Sequence, residues 1–132
     1  MAAGRIDGAR YIAAIEPWHG NQVAVYRKQG ASWQRRVIDD SLADGHTIAA
    51  ADLNGDGNDE IIAGFRGGKH SVYVYYADDA HGGRWSKAVL DDGGMAAAAC
   101  VAADLNADGR IDVACIGSAT ANLKWYENLG PR

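Results

Sequence analysis

Short runs of small and β-branched apolar residues recur along this chain, each closed by a turn of Gly, Asp or Asn. Ile12-Ala-Ala-Ile15, Gln22-Val-Ala-Val-Tyr26, Ile48-Ala-Ala-Ala51, Ile61-Ile62-Ala63 and Ser71-Val-Tyr-Val-Tyr75 come first. Cys100-Val-Ala-Ala103, Val113-Ala114-Cys115 and Asn122-Leu-Lys-Trp-Tyr126 follow. The runs either alternate or stay apolar throughout, the patterns of half-buried and buried strands. No segment sustains a helical period. The chain is therefore expected to be all-β, and its 17 Gly against 2 Pro suit tight hairpins.

The strands belong to a repeat. Trp33, Val37-Ile38-Asp39-Asp40 reappears as Trp85, Val89-Leu90-Asp91-Asp92. Asp52-Leu-Asn54-Gly-Asp56-Gly-Asn58-Asp59-Glu60 reappears as Asp104-Leu-Asn106-Ala-Asp108-Gly-Arg110-Ile-Asp112. A period of roughly 40–50 residues with four strands per unit marks a β-propeller blade. With the strands lettered A to D, the chain reads B-C-D over 5–40, A-B-C-D over 46–92 and A-B-C over 96–128. The expectation is about three four-stranded antiparallel blades, the first and last incomplete. Asp7-Gly8-Ala9-Arg10-Tyr11 aligns with the acidic loops but carries Arg5 and Tyr11 at ligand positions, so it is expected to bind no metal.

The two acidic loops have metal-ligand spacing. Calcium takes about six to eight oxygens, and alternate loop side chains converge on one ion when the backbone curls. Asp52, Asn54, Asp56 and Glu60 occupy those positions in the first loop, and Asp104, Asn106, Asp108 and Asp112 in the second. Asn58 and Arg110 would contribute a backbone carbonyl each. Gly57 and Gly109 sit where the turn disfavours a Cβ. A helical calcium hand would need Glu where Ala63 and Cys115 stand, so these are turns between strands. Two calcium sites are expected. A well-solvated Asp/Asn/Gly turn is the plainer alternative.

The D-x-N-x-D-G-x-x-[D/E] loop followed by an apolar strand resembles the VCBS/FG-GAP repeat family, across nearly all of residues 5–128. That family includes integrin α-subunit propellers, calcium-dependent fungal lectins and propellers of polysaccharide-acting enzymes. Trp18-His19-Gly20, Asp44-Gly45-His46 and Gly94-Met95-Ala96 look most like the propeller of aldos-2-ulose dehydratases. The resemblance implies a propeller fold, with calcium at the A–B turns and carbohydrate as a ligand class.

Strand order separates two rims. The A–B loops with the metal lie on one. The B–C loops and D-to-A connections lie on the other, which gathers Trp18, His19, His46, Arg66 and His70 as candidate ligand-binding residues. An indole plate beside an imidazole suits a sugar. His19 or His46 could also act as a base or a metal ligand. Trp18 packed under a loop and His46 as a turn residue are the bland alternatives. Ala96-Ala97-Ala98-Ala99 and Ala121 stand where similar propellers often carry polar groups, which counts against catalysis. Three readings compete: a calcium-stabilised binding module for carbohydrate, a dehydratase-like enzyme acting on a keto-sugar, and a structural or engineered self-assembling fragment without a ligand.

A net charge of −4 argues against a nucleic-acid partner. The Met1 end shows no signal peptide and no apolar run spans a membrane, so a soluble chain is expected. Closed propellers need roughly four to eight blades. Three blades therefore predict a homo-oligomer that completes the ring, a dimer first, or a piece of a longer parent. Cys100 and Cys115 are equidistant from the midpoint of the second loop and could face each other across strands A and B, but cross-strand geometry is often poor for a disulfide, so buried free thiols are expected.

Overall fold

The computed structural model describes residues 1–130. It contains eleven strands. They are β1 (Ala2–Ile6), β2 (Ala9–Glu16), β3 (Gln22–Gln29), β4 (Ser32–Asp39), β5 (Gly45–Ala51), β6 (Glu60–Phe65), β7 (Ser71–Ala77), β8 (Trp85–Asp92), β9 (Ala97–Ala103), β10 (Asp112–Gly117) and β11 (Leu123–Tyr126). Three antiparallel sheets form in order β1-β2-β3-β4, β5-β6-β7-β8 and β9-β10-β11. They are blades one, two and three of a partial propeller. Among the described residues no helix is long and apolar enough to cross a membrane.

Blade one corrects the expectation of a missing first strand. Residues Ala2–Ile6 pair with β2 in the register Ala2↔Ala13 to Ile6↔Ala9. The turn between them has positive φ at both Asp7 (49°) and Gly8 (73°), as a two-residue hairpin turn requires. The strand contains Gly4 because the Tyr11 ring lies over it; a Cβ there would meet Tyr11 Cζ at 2.4 Å. Small residues and one Gly gave this segment no strand-like pattern. Blade three has three strands, as expected.

The blades stack through alternating faces. In β6, Ile61, Ala63 and Phe65 join Ile6, Tyr11, Val23 and Val25 in a core between blades one and two. Ile62, one residue out of phase, joins Val72, Val74, Val113 and Cys115 between blades two and three. Period-two alternation thus serves two interfaces with one strand. Full burial of Ile61 and Ile62 contributes about 1.5–3 kcal/mol each.

A polar clamp repeats at each junction. The Tyr75 hydroxyl donates to Asp39 Oδ2 at 2.7 Å, and Lys87 Nζ reaches the same oxygen at 2.9 Å. One blade on, Tyr126 donates to Asp91 Oδ2 at 2.9 Å and Lys124 Nζ lies 2.7 Å from it. Burial works against ionising Asp39, but hydrogen bonds from Ser41, Lys87 and Tyr75 hold its carboxyl below the usual carboxylate range. Asp91 is likewise lowered against burial by Lys124, Tyr126 and the Gly94 N–H. Burial and the facing carboxylates push both tyrosines up, so they remain donors.

The cysteines also correct an expectation. Cys100 and Cys115 are directly opposite in the β9–β10 ladder and form a disulfide, with their Cα atoms 4.1 Å apart. Directly opposed residues in a ladder bring Cβ atoms within bridging reach. No free thiol is present among the described residues.

Candidate functional site

The first acidic loop joins β5 to β6. Gly55 (φ 77°) and Gly57 (φ 86°) are left-handed and curl the backbone inward. Asp52 Oδ1 accepts the Gly55 N–H at 2.7 Å, and Oδ2 accepts that of Gly57 at 2.9 Å. Asn54 Oδ1 accepts the Asp56 N–H, and Asp56 Oδ1 accepts the Asn58 N–H. Glu60 is buried and accepts the Leu53 N–H at 2.8 Å. Its carboxyl is pushed up to about 7, first by burial and then by the Asp56 and Asp52 charges, against the lowering effect of backbone hydrogen bonds.

These residues fit calcium in kind. All are hard oxygen donors at alternate positions, and their crowded negative charge lacks a counter-ion within the loop. As placed, the carboxylates face the loop's own amides. Among the described residues no three His, Cys, Asp or Glu side chains gather in ion-holding geometry. Asn58 turns its Oδ1 to the Asp7 N–H at 2.8 Å, leaving its carbonyl as the donor. Asp59, which the spacing argument passed over, fastens the loop to blade one. It accepts the Arg5 N–H at 2.7 Å, donates its own N–H to Arg5 O, and offers its carbonyl to Tyr11 Oη.

The second loop joins β9 to β10 and repeats the ladder. Asp104 Oδ2 accepts the Gly109 N–H, and Asp108 Oδ1 accepts the Arg110 N–H. Its surroundings differ. The Arg110 guanidinium lies on Asp108 Oδ2 and reaches Asn128 O at 2.6 Å through Nε. Asn106 Nδ2 donates to Asp108 and also to Glu127 Oε1. Asp112 is buried, yet the Asn128 N–H holds its carboxyl below the usual range, helped by Leu105, Trp125 and Arg110. Arg110 therefore contributes a side chain where a backbone carbonyl alone was expected.

On the opposite rim the turn between β2 and β3 meets the start of β5 and the turn after β6. His19 and Asp44 both adopt positive φ, 61° and 55°. Gly45 admits a close approach, since a Cβ there would meet Ile15 at 2.7 Å and Gly20 O at 2.9 Å. Arg66 holds Asp44 through Nε–Oδ2 at 3.1 Å and Nη2–Oδ1 at 3.2 Å. His19 Nδ1 stands between Asp44 Oδ1 (2.9 Å) and Arg66 Nη2 (2.8 Å). Hydrogen bonds from Arg66 and then His19 lower the Asp44 carboxyl. His46 Nδ1 lies 2.7 Å from Ala98 O, a carbonyl that can only accept, so Nδ1 carries a proton and Nε2 is the ring nitrogen left without a protein partner among the described residues.

The two imidazoles pack edge-to-face with centroids 4.9 Å apart. Trp18 lies 4.9 Å from the His19 ring and 6.1 Å from that of His46, and is 78% exposed. Trp18, His19, His46 and Arg66 thus come together, with Asp44 as their link. His70 follows the same turn as Arg66 but enters none of the ring contacts; its N–H closes the turn onto Gly67 O. Met95, Ala96 and Ala97 are buried core residues, so that stretch offers no side chain to a ligand.

Residues 52–115 match the FG-GAP-like repeat family. The match begins on Asp52 and ends at Cys115, covering both loops and strands β6 to β9 with most of β10. The chain is also similar to aldos-2-ulose dehydratase of Phanerodontia chrysosporium, at 29% identity over 154 aligned positions. That similarity covers 98% of this chain and 17% of the dehydratase's length. A further open groove of about 430 Å³ lies between the outer strands of blade one and the β7–β8 turn of blade two. Arg27, Lys28, Arg35, Arg36 and His81 line it. The linear sequence scatters these residues; the β3–β4 register pairs Arg27 with Gln34 and sets Arg35 and Arg36 beside them, and the β7–β8 turn adds His81.

Proposed function

We propose that this FG-GAP segment is a calcium-stabilised propeller module that binds carbohydrate on the Trp18–His19–His46 rim. The observation that carries the reading is the exposed Trp18 ring beside two imidazoles, one anchored to Asp44 and Arg66 and the other to Ala98 O. A pyranose lays its C–H face on the indole while its hydroxyls bond the ring nitrogens. Calcium at Asp52–Glu60 and Asp104–Asp112 would hold the A–B turns and leave recognition to the other rim. The test is tryptophan fluorescence titration across a glycan panel. A saturable change lost in Trp18→Ala supports the reading, and a blank panel at millimolar glycan removes it.

A second reading, dehydration of a keto-sugar, is favoured by the bare Nε2 of His46 and by the name of the similar dehydratase. A histidine would take a proton from the carbon next to the ketone, and the β-hydroxyl would leave as water, giving an enone. Incubation with 1,5-anhydrofructose and an unchanged ultraviolet spectrum would eliminate it.

A further inference from the structure

The repeat says what belongs on the uncovered face of blade three. Val23 and Val25 of blade one correspond to Val72 and Val74 of blade two and to Leu123 and Trp125 of blade three. The first four are at most 3% exposed, because the following blade covers them. Leu123 and Trp125 are 72% and 49% exposed. Ile116 and Val101 on the same face are also exposed. This is a blade-stacking surface by its position in the repeat, continuous in type with two interfaces inside the chain.

The surface that would cover it also recurs. Blade two stacks through Ile61, Ala63 and Tyr75, and blade three through Val113, Cys115 and Tyr126. Blade one carries Ile12, Ala14 and Tyr26 at these positions, and among the described residues they enter neither inter-blade core. Tyr75 and Tyr126 each need a carboxylate from the preceding blade. Among the described residues no strand follows β11 in its sheet to supply one. Tyr26 has its own: its hydroxyl donates to Glu16 Oε1, and Arg35 Nε holds the other oxygen at 2.9 Å. Glu16 stands where blade two has Phe65. Docking would therefore leave no buried hydroxyl unpaired.

We infer that blade three of one chain docks on blade one of a second copy, head to tail. Two such contacts related by a twofold axis close six blades, within the roughly four to eight of closed propellers. The inference is independent of the ligand reading.

Light scattering coupled to size-exclusion chromatography tests it. The wild type should run with the mass of two 14.0 kDa chains. Leu123→Glu/Trp125→Glu should be monomeric, as should Ile12→Glu, each with wild-type far-ultraviolet circular dichroism. Ala14→Glu replaces Ile12→Glu if the latter loses its β signal. Mixed in equal amounts, the two monomers should form a one-to-one pair, since each retains the surface its partner lacks. Val89→Glu, on exposed β8, should remain a dimer. A monomeric wild type overturns the inference and points to a further blade within one polypeptide. A dimer that survives Ile12→Glu and Ala14→Glu overturns it in favour of blade-three self-pairing. Monomeric Val89→Glu, or mixed variants that fail to pair, also overturns it.

Discussion

The two acidic loops share a ligand ladder and differ in what stands around it. The first has carboxylates at Asp52, Asp56 and Glu60, with no basic side chain bonded to them among the described residues; its Asp59 grips the backbone of blade one through side chain and main chain alike. The second carries Arg110 on Asp108 and places Asp112 under the amides of Leu105 and Asn128. The electrostatic result is opposite. Glu60 is pushed up, first by burial and then by its neighbours' charge, whereas Asp112 is held down by donors. A motif read letter by letter treats the loops as equal. The residue at the seventh position, Asn58 or Arg110, decides whether a loop brings its own cation.

The largest expected effect tests whether either loop is a metal site. Calcium at about a hundred times Kd adds about 2.7 kcal/mol for one loop, roughly 10 °C in melting temperature. EDTA should reverse it, and Asp52→Ala/Asp104→Ala should abolish it. Equal melting curves with calcium and EDTA would end the comparison as one of metal sites.

The inter-blade clamps, alike where the loops differ, should fail together in acid. Asp39 and Asp91 are held below the usual carboxylate range. Such groups contribute stability above their unfolded pKa of about 4, and it is lost as pH falls through the lower folded value. Melting temperature should therefore drop steeply below about pH 4. The fall should be shallower in Asp39→Asn/Asp91→Asn; an unchanged acid limb in that variant would remove the clamps as its source.

Asp59→Ala removes the carboxylate's bond to the Arg5 N–H and leaves the loop's backbone ties to blade one in place. It should cost about 1 kcal/mol, a few degrees in a thermal melt. The matching Ile111→Ala in the second loop breaks no such hydrogen bond and should not reproduce a loss tied to Arg5.

The smallest effect is the most diagnostic. Arg110→Ala removes the resident cation and should tighten calcium at the second loop by up to about fivefold, the worth of one exposed ion pair. Calorimetry that shows weaker binding instead would make Arg110 a support of the loop.

The repeat was legible because blade strands must alternate on both faces and their turns need Gly, Asp and Asn. Strand β1 was not, because Ala2, Ala3 and Gly4 are chosen to pass beneath Tyr11 and carry no strand propensity of their own. The grouping of Trp18, His19, His46 and Arg66 followed from strand order alone. Their bonding through Asp44 depends on two left-handed residues, which no pattern announces. The Val-Ile-Asp39 and Val-Leu-Asp91 repeats were visible as letters. Their partners Tyr75 and Tyr126 lie 36 and 35 residues away, so the clamp emerged only with the register. The opposition of Cys100 and Cys115 was legible from their equal distance to the midpoint of the second loop; the bridge was not, because cross-strand pairs often meet in poor geometry for a disulfide.

Stacked arrays exchange amide hydrogens fastest in units with a neighbour on one side only. Blades one and three both meet that condition within one chain, and blade three has one strand fewer. The Cys100–Cys115 bridge joins the two strands of blade three that border the second loop. Under oxidising conditions the shortest sheet is thus laced shut, and β9–β10 amides should outlast those of β1–β2 in heavy water. With a reductant the order should invert, making the thiol state of the surroundings a control on which end of the molecule breathes.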